Sequence, residues 1–293
     1  MADRELYFAD EKALRKWKRR KVLSQIGVYT FLTILAIFII IPFYWMIATS
    51  LKSNGEVSLP VPTLFPQEIM WENYALIFKQ VTSFGRYFLN TIIVSFFTTI
   101  LVVITTVFAA FAFARLKFKG RDTIFMLLLV TMMVPGEMMV ITNYMTVSVF
   151  GWMNTYQALI LPFGVSVFYI YYLRQTFKSI PNELYLAAKV DGVGDFKYLF
   201  KVLVPIAMPA IVTIIILSSM GAWNALIWPE LVANAETMRM VSNGLMRALT
   251  SEFSQQVNLQ MTASAIVTAP LFVFFIIFRK YIMRGVSRSG IKG

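Results

Sequence analysis

The sequence predicts an all-α membrane protein of six transmembrane helices. Three observations carry that reading. The chain of 293 residues is 58% hydrophobic and only 14% charged, where a soluble domain carries about 25% charged residues. Its apolar residues fall in long runs rather than alternating with polar ones, and the mean hydropathy is +0.68. Its basic residues avoid those runs and gather in the segments between them.

Six runs are long enough to cross a bilayer: Val22–Thr49, Tyr87–Ala114, Thr123–Met145, Tyr156–Leu173, Val202–Trp228 and Met261–Phe278. Each approaches or exceeds the roughly 20 residues that cross about 30 Å of hydrocarbon. None contains Lys or Arg, and Glu137 is their only carboxylate. The first run follows a basic tail, residues 1–21, but it is too long for a cleaved leader. Trp45 and Met46 stand near its end in place of a small-residue cleavage site, so it reads as a retained span. Within the tail, Glu5–Lys21 suits a basic amphipathic helix on the membrane surface or a solvated orientation signal. The following segment holds Pro60, Pro62 and Pro66, then Trp71-Glu72-Asn73-Tyr74, a mixed stretch suited to a short interfacial helix. One membrane domain, residues 22–281, is expected between that tail and a second tail, residues 282–293.

Six crossings put both tails on one side. That side collects 22 of the 27 basic residues, including Arg115, Lys117, Lys119 and Arg121. The positive-inside rule makes it the cytoplasmic side. Topology and anionic lipid thus account for the net charge of +12, and no nucleic-acid partner is needed. The chain has no Cys and no His. That excludes disulfides, thiolate or imidazole metal sites and every His-based triad. No catalytic residue and no metal site is expected.

The segment between the fourth and fifth runs, about residues 178–201, is different in kind. From Glu183 to Pro205 it reads ELYLAAKVDGVGDFKYLFKVLVP and mixes charges with apolar residues at helical spacing. Pro181 suits a helix start, with Ser179 or Asn182 as capping residue. Ala187 and Ala188 favour helix. Asp191-Gly192 reads as a break, and a second short helix, Asp195–Lys201, leads on. Ala187, Ala188 and Gly192 offer a flat patch of small residues. Leu184, Leu186, Val190 and Phe196 offer apolar contact around it. The helix either docks a partner there or packs on the ends of its own spans.

These residues resemble the cytoplasmic motif of permease subunits of ABC importers. That motif is Glu-Ala-Ala, three residues, Gly, nine residues, Ile, any residue, Leu-Pro. Ala187, Ala188, Gly192 and Pro205 match it, with Val202 and Val204 for Ile and Leu. Asn154-Thr155-Tyr156, Leu161-Pro162, Ile180-Pro181, Trp223-Asn224 and the terminal Gly290-Ile291-Lys292-Gly293 fit as well. The set is similar to the carbohydrate-uptake branch, and to the second permease of maltose-type importers. The resemblance implies the type I importer permease fold, with a cytoplasmic coupling-helix loop. It implies a prokaryotic inner-membrane location, a second homologous permease, two cytoplasmic ATPase subunits and an extracytoplasmic solute-binding protein. ATP and Mg would be bound by those ATPase subunits. Glu183, Leu186, Ala187, Ala188, Asp191 and Gly192 would contact the ATPase, and Arg288, Gly290 and Lys292 would reach into the ATPase dimer. One position departs: Leu186 stands where the family has its acid, and Glu183 lies one turn earlier on roughly the same face. The chain itself carries no phosphate loop. Gly285 to Lys292 is a near miss, with its Lys one place late and no Ser or Thr after it.

Glu137 follows Pro135-Gly136, which loosens the helix there. An intramembrane carboxylate must face protein or a watery cavity. Glu137 therefore either lines a translocation path or caps backbone groups freed beside Pro135. Asn90, Asn143, Tyr144, Trp223 and Asn224 are further path candidates, since sugars bind aromatic faces and hydrogen-bonding side chains. Trp and Tyr also serve as packing and interface anchors. The expected solute is a sugar or oligosaccharide, with glycerol phosphate as the alternative. An ion-coupled secondary carrier would show more intramembrane carboxylates and repeated halves.

Overall fold

The computed structural model describes residues 11–81, 83–251 and 256–289. Among the described residues the chain is helical and carries no strand. On the N-terminal side it runs through α1 (Glu11–Ser50), α2 (Asn54–Val57), α3 (Glu72–Gln80) and α4 (Phe84–Arg115). The middle holds α5 (Arg121–Thr131), α6 (Val140–Val149), α7 (Tyr156–Ile160), α8 (Val167–Ser179), α9 (Glu183–Val190) and α10 (Asp195–Tyr198). It ends in α11 (Val204–Ile206), α12 (Met208–Trp223), α13 (Ile227–Val232), α14 (Val241–Ser251) and α15 (Val257–Ser289).

Three helices are long and apolar enough to cross a membrane unbroken, in α1, α4 and α15. Three further candidate crossings are bent pairs. Arg121–Thr131 meets Gly136–Val149 at 86°, Tyr156–Phe163 meets Val167–Ser179 at 44°, and Asp195–Ile206 meets Met208–Trp223 at 80°. Each pair taken as one crossing gives six, at the places of the six apolar runs.

The breaks have local causes. Pro135 cannot donate, and Gly136 costs about 1 kcal/mol in a helix. A 3-10 turn, Gly136–Met139, replaces the helix there. At Gly164 a Cβ would stand 2.3 Å from Leu101 Cδ2, and Thr105 Oγ1 on α4 donates to Gly164 O at 2.7 Å. Ser166 Oγ then accepts from Tyr169 N at 3.4 Å and starts α8. The third break lies at Ala207, where Pro209 begins the next helix with no N–H to give.

The helices correct the linear reading in three places. The fifth membrane helix begins at Met208 rather than Val202, because the π-helical turn Leu199–Leu203 and α11 belong to the other arm of the 80° bend. The fourth crossing runs on to Ser179, so Arg174 and Lys178 are helical residues, not loop residues. From Glu11 onward the basic tail is the start of the same unbroken helix as the first span, not a separate surface helix. The expected short helix beyond Trp71 is present as α3.

The chain divides into two compact units, residues 1–73 with 256–265 and residues 74–255 with 266–293. In the first, buried amide and hydroxyl groups satisfy the carbonyls beyond the end of α1. Asn73 Nδ2 donates to Ser50 O at 2.8 Å and to Lys52 O at 2.9 Å. Thr262 Oγ1 donates to Ser50 O at 3.1 Å. A helix end without such partners would leave its last carbonyls orphaned.

In the second unit α4 is the axis, with α8 and α12 against it. Val102, Ala110 and Phe111 of α4 pack with Leu173 and Phe177 of α8, and with Ile211 and Ile214 of α12. The Thr99 and Ser219 hydroxyls share a hydrogen bond of 3.0 Å. Close packing and interhelical hydrogen bonds hold such helices, since lipid is as apolar as Leu. At the far end, Asn90 ties α4 to the segment before α14. It donates to Thr237 O at 2.9 Å and Arg239 O at 2.8 Å, and accepts from Tyr156 OH at 2.7 Å. Thr91 Oγ1 accepts from Val241 N at 2.8 Å, and Trp228 Nε1 donates to Ala158 O at 2.8 Å.

Replacing Asn90 with Ala removes three hydrogen bonds from a fully buried position. The expected loss is about 1–3 kcal/mol. It should appear as earlier thermal unfolding in detergent and faster proteolysis around residues 235–240. Ser83→Ala, at a part-exposed contact with Glu236, should change neither.

Candidate functional site

The motif segment is built on two arginines. Arg115 ends α4 and is buried. Its guanidinium donates to Phe177 O at 2.8 Å, Ile180 O at 2.7 Å and Asn182 Oδ1 at 3.2 Å. These are the last carbonyls of α8 and the residue before α9. Arg174 of α8 returns the contact. Its Nε donates to Phe113 O, near the end of α4, at 3.2 Å. Its guanidinium lies 3.9 Å over the Phe125 ring and 3.4 Å from Asp122. The two helices therefore end together, and each supplies a cation to the other's C-terminal carbonyls. Orphan carbonyls and the negative end of the helix dipole both favour a cation there.

Asn182 stands at the N-cap of α9, but its side chain makes no capping bond. Its oxygen is engaged with Arg115. Ser179, the other expected cap, donates to Thr176 O. Helix α9 is closed at its other end by Gly192, at φ +71. Val193 N donates to Ala188 O at 2.8 Å and Gly192 N to Lys189 O at 3.1 Å. That pair of bonds is a Schellman closure, which needs a left-handed residue at this position. No atom lies within 4 Å of a Cβ built on Gly192. The glycine is required by its dihedral, not by crowding.

The turn fixes α10 against α9. Tyr185 OH donates to Asp195 Oδ1 at 2.7 Å, and Lys189 Nζ lies 2.7 Å from the same oxygen. The bond to Asp195 holds the Lys189 ammonium above its usual range, and burial pushes the Tyr185 phenol up. Tyr185, Ala188 and Val193 face inward onto the core with Leu199 and Leu203. Leu184, Leu186, Val190 and Phe196 face outward, at 43%, 55%, 87% and 70% exposure. Glu183, Ala187, Asp191 and Gly192 are also exposed. One face of the segment packs on its own helices, and the other is open. Ala188 belongs to the packed face, so the small-residue patch is divided between the two.

The remaining site residues lie apart. Gly290 and Lys292 fall outside the described residues, as does the side chain of Arg288. Glu137 is exposed in the 3-10 turn at the 86° break. Asn90 has its amide taken up by the loop network. Tyr144 packs with Val94, Val147 and Trp228, and Asn143 beside it is half-buried. Trp223 lies edge-on to Phe88, with centroids 6.0 Å apart, and its buried Nε1 has no partner among the described residues. Asn224 is the exposed C-cap of α12. None of these six lines the cleft of about 230 Å³ between α4, α8 and α12, which is bordered by Thr98, Tyr169, Ser218, Gly221 and Trp228. The Thr98 hydroxyl is buried there without a partner among the described residues. The recurrence of Thr91, Ser95, Thr98 and Thr99 at helical spacing in an apolar run was a usable signal for a buried polar stripe on α4.

Residues 103–288 match the family described as the inner membrane component of binding-protein-dependent transport systems. The chain is 29% identical over 272 residues to the arabinooligosaccharides transport system permease protein AraQ of Bacillus subtilis, covering 92% of this chain and 96% of that one. It is 27% identical over 264 residues to the diacetylchitobiose uptake system permease protein NgcG of Streptomyces coelicolor, covering 89% and 87%. A chain in the crystal structure of a bacterial ABC transporter involved in import of the acidic polysaccharide alginate superposes with a TM-score of 0.78 at 23% identity, over 90% of this chain and 98% of that one. At that identity the likeness is one of fold.

Gly192→Val forces a β-branched residue into the left-handed region, at a cost of about 1–2 kcal/mol. Trypsin should then cut faster at Lys189 and Lys197. Gly192→Asn, which tolerates that region, should leave the digestion pattern unchanged.

Proposed function

The chain belongs to the binding-protein-dependent transport family of inner membrane components, and from that membership we propose that it forms half of an ATP-driven, alternating-access path for an oligosaccharide. It is a multi-pass permease subunit of an ABC importer, and its work is transport, not bond chemistry. The oligosaccharide reading rests on AraQ and NgcG, which are named for arabinooligosaccharides and diacetylchitobiose. In this reading a second permease supplies the other wall, and an external solute-binding protein delivers the sugar. Two ATPase subunits bind ATP and Mg on the side of the basic tail, which is the cytoplasm.

One observation carries the reading. The outward face of α9 and α10 is apolar and exposed, yet the start of α9 is fastened to the ends of α4 and α8 through Arg115, and α10 is fixed to α9 by the Tyr185–Asp195–Lys189 cluster. A partner seated on that face moves the ends of α4 and α8 with it. Coupling of ATP binding to a change of access needs such a fastened contact, because only a differential contact between two states can bias them. A loosely tethered loop would absorb the motion. Leu184, Leu186 and Phe196 supply the fit, and Glu183 supplies the acid that Leu186 lacks. Arg288, Gly290 and Lys292 extend the same contact from the C-terminal tail.

Purification from the native membrane should recover a second permease and an ATPase. Reconstituted with the binding protein, that complex should hydrolyse ATP faster when oligosaccharide is added. ATP-independent uptake by the isolated chain would refute the assignment. Glu183→Ala should lower sugar-stimulated hydrolysis more than Leu186→Ala does. Equal losses would remove Glu183 from the coupling role and leave the rest of the reading standing.

A further inference from the structure

The loop between α2 and α3 has an unusual surface. Val61, Leu64 and Phe65 are 78%, 64% and 72% exposed. No charged residue occurs from Val57 to Gln67. Such a surface needs a non-aqueous neighbour. The same loop is held in one shape from below. Lys52 and Glu56 are both buried, which charged side chains tolerate only when fully engaged. Lys52 Nζ donates to Thr63 O and lies 4.7 Å over the Trp45 ring. The Glu56 carboxylate accepts from the Thr63 hydroxyl and from Gln67 N at 3.1 and 3.2 Å.

Depth identifies the neighbour. Tyr44 OH donates to Leu64 O at 2.8 Å, and the Tyr44 and Phe65 rings meet edge to face with centroids 6.0 Å apart. Tyr44 lies six residues before the end of α1 at Ser50, or about 9 Å down the helix at 1.5 Å per residue. It sits in the aromatic trio Phe43-Tyr44-Trp45 that closes the first apolar run. Aromatic residues at the end of a span mark the headgroup level. The loop thus folds back along α1 to that level instead of rising away from it. Part of its backbone is already withdrawn from water. Pro60, Pro62 and Pro66 have no N–H, and the Thr63 and Leu64 carbonyls and the Gln67 N–H have protein partners. Backbone in contact with lipid must be satisfied internally.

We propose that residues 59–66 form a wedge seated in the lipid leaflet at the C-terminal end of α1, with Val61, Leu64 and Phe65 among the upper acyl chains. The buried Lys52 and Glu56 hold the wedge at that depth. The proposal rests on the membrane span of α1 and not on the transported solute.

The chain contains no Cys, so single labels are unambiguous within it. Spin labels at Val61→Cys and Leu64→Cys can be read in the full chain, purified with the subunits that accompany it and reconstituted in phosphatidylethanolamine–phosphatidylglycerol vesicles. Ile37→Cys in mid-span and Lys119→Cys in a basic loop serve as lipid and water standards. Collision with dissolved oxygen should exceed collision with a water-soluble nickel chelate several-fold at positions 61 and 64, as at 37. The opposite ratio, as at 119, would place the loop in water and overturn the proposal. Suppression of both collisions several-fold below both standards would also overturn it, since a protein face would then cover the wedge.

Discussion

Everything the exposed loop can do depends on how two helix ends are finished. Helices α4 and α8 stop at the same level, and their last carbonyls would otherwise be buried without donors. Arg115 and Arg174 close each other's helix, so neither end is complete alone. The guanidinium suits the task because it is planar, carries five donors and keeps its charge. Arg115 uses that fork to reach two carbonyls and the Asn182 amide at once. Lysine would carry the charge but not the geometry. The start of α9 is thereby set by the end of α4, some sixty residues earlier in the chain.

The broken crossings follow the same accounting at other depths. A break frees backbone groups that lipid cannot satisfy. At Gly164 the freed carbonyl is taken by Thr105, and α8 is restarted by Ser166. At Ala207 the arm before the break is buried through Tyr198, Leu199 and Leu203 in the core that holds α4 and α8. The break at Pro135–Gly136 is the exposed one, and it carries Glu137. Irregularity is thus covered where it meets the helix axis and left open at a single charged turn. The arm before Ala207 is also the continuation of α10, so the second half of the exposed loop is welded into the same core as α9.

Much of this was legible in the linear sequence. Runs of apolar residues and the avoidance of those runs by Lys and Arg located all six crossings. The spacing of Ala187, Ala188, Gly192 and Pro205 located the exposed loop, and Asp191-Gly192 correctly marked its turn. What was illegible has a common cause. Hydropathy counts residues and is blind to helix direction, so Val202–Trp228 read as one span although the chain turns by 80° at Ala207, before Pro209. A charge census treats every cation beyond a span as solvated, so Arg115 and Arg174 were counted as topology signals when they are buried. Polar side chains in spans were read as candidates either for lining a path or for packing. Asn90 shows why the path reading is weak, because a buried amide is equally useful for tying a loop to a helix. Partners sixty or a hundred and fifty residues apart leave no local pattern to read.

The paired arginines also bear on how such a chain is made. Each is a charge that resists translocation and a bond that can form only when the other is on the same side. A helix inserted the wrong way round would strand one guanidinium across the bilayer and leave two sets of carbonyls bare. Correct insertion is therefore rewarded by an interaction that a misinserted chain cannot make. The same two residues thus lock the ends of α4 and α8 to one side of the fold.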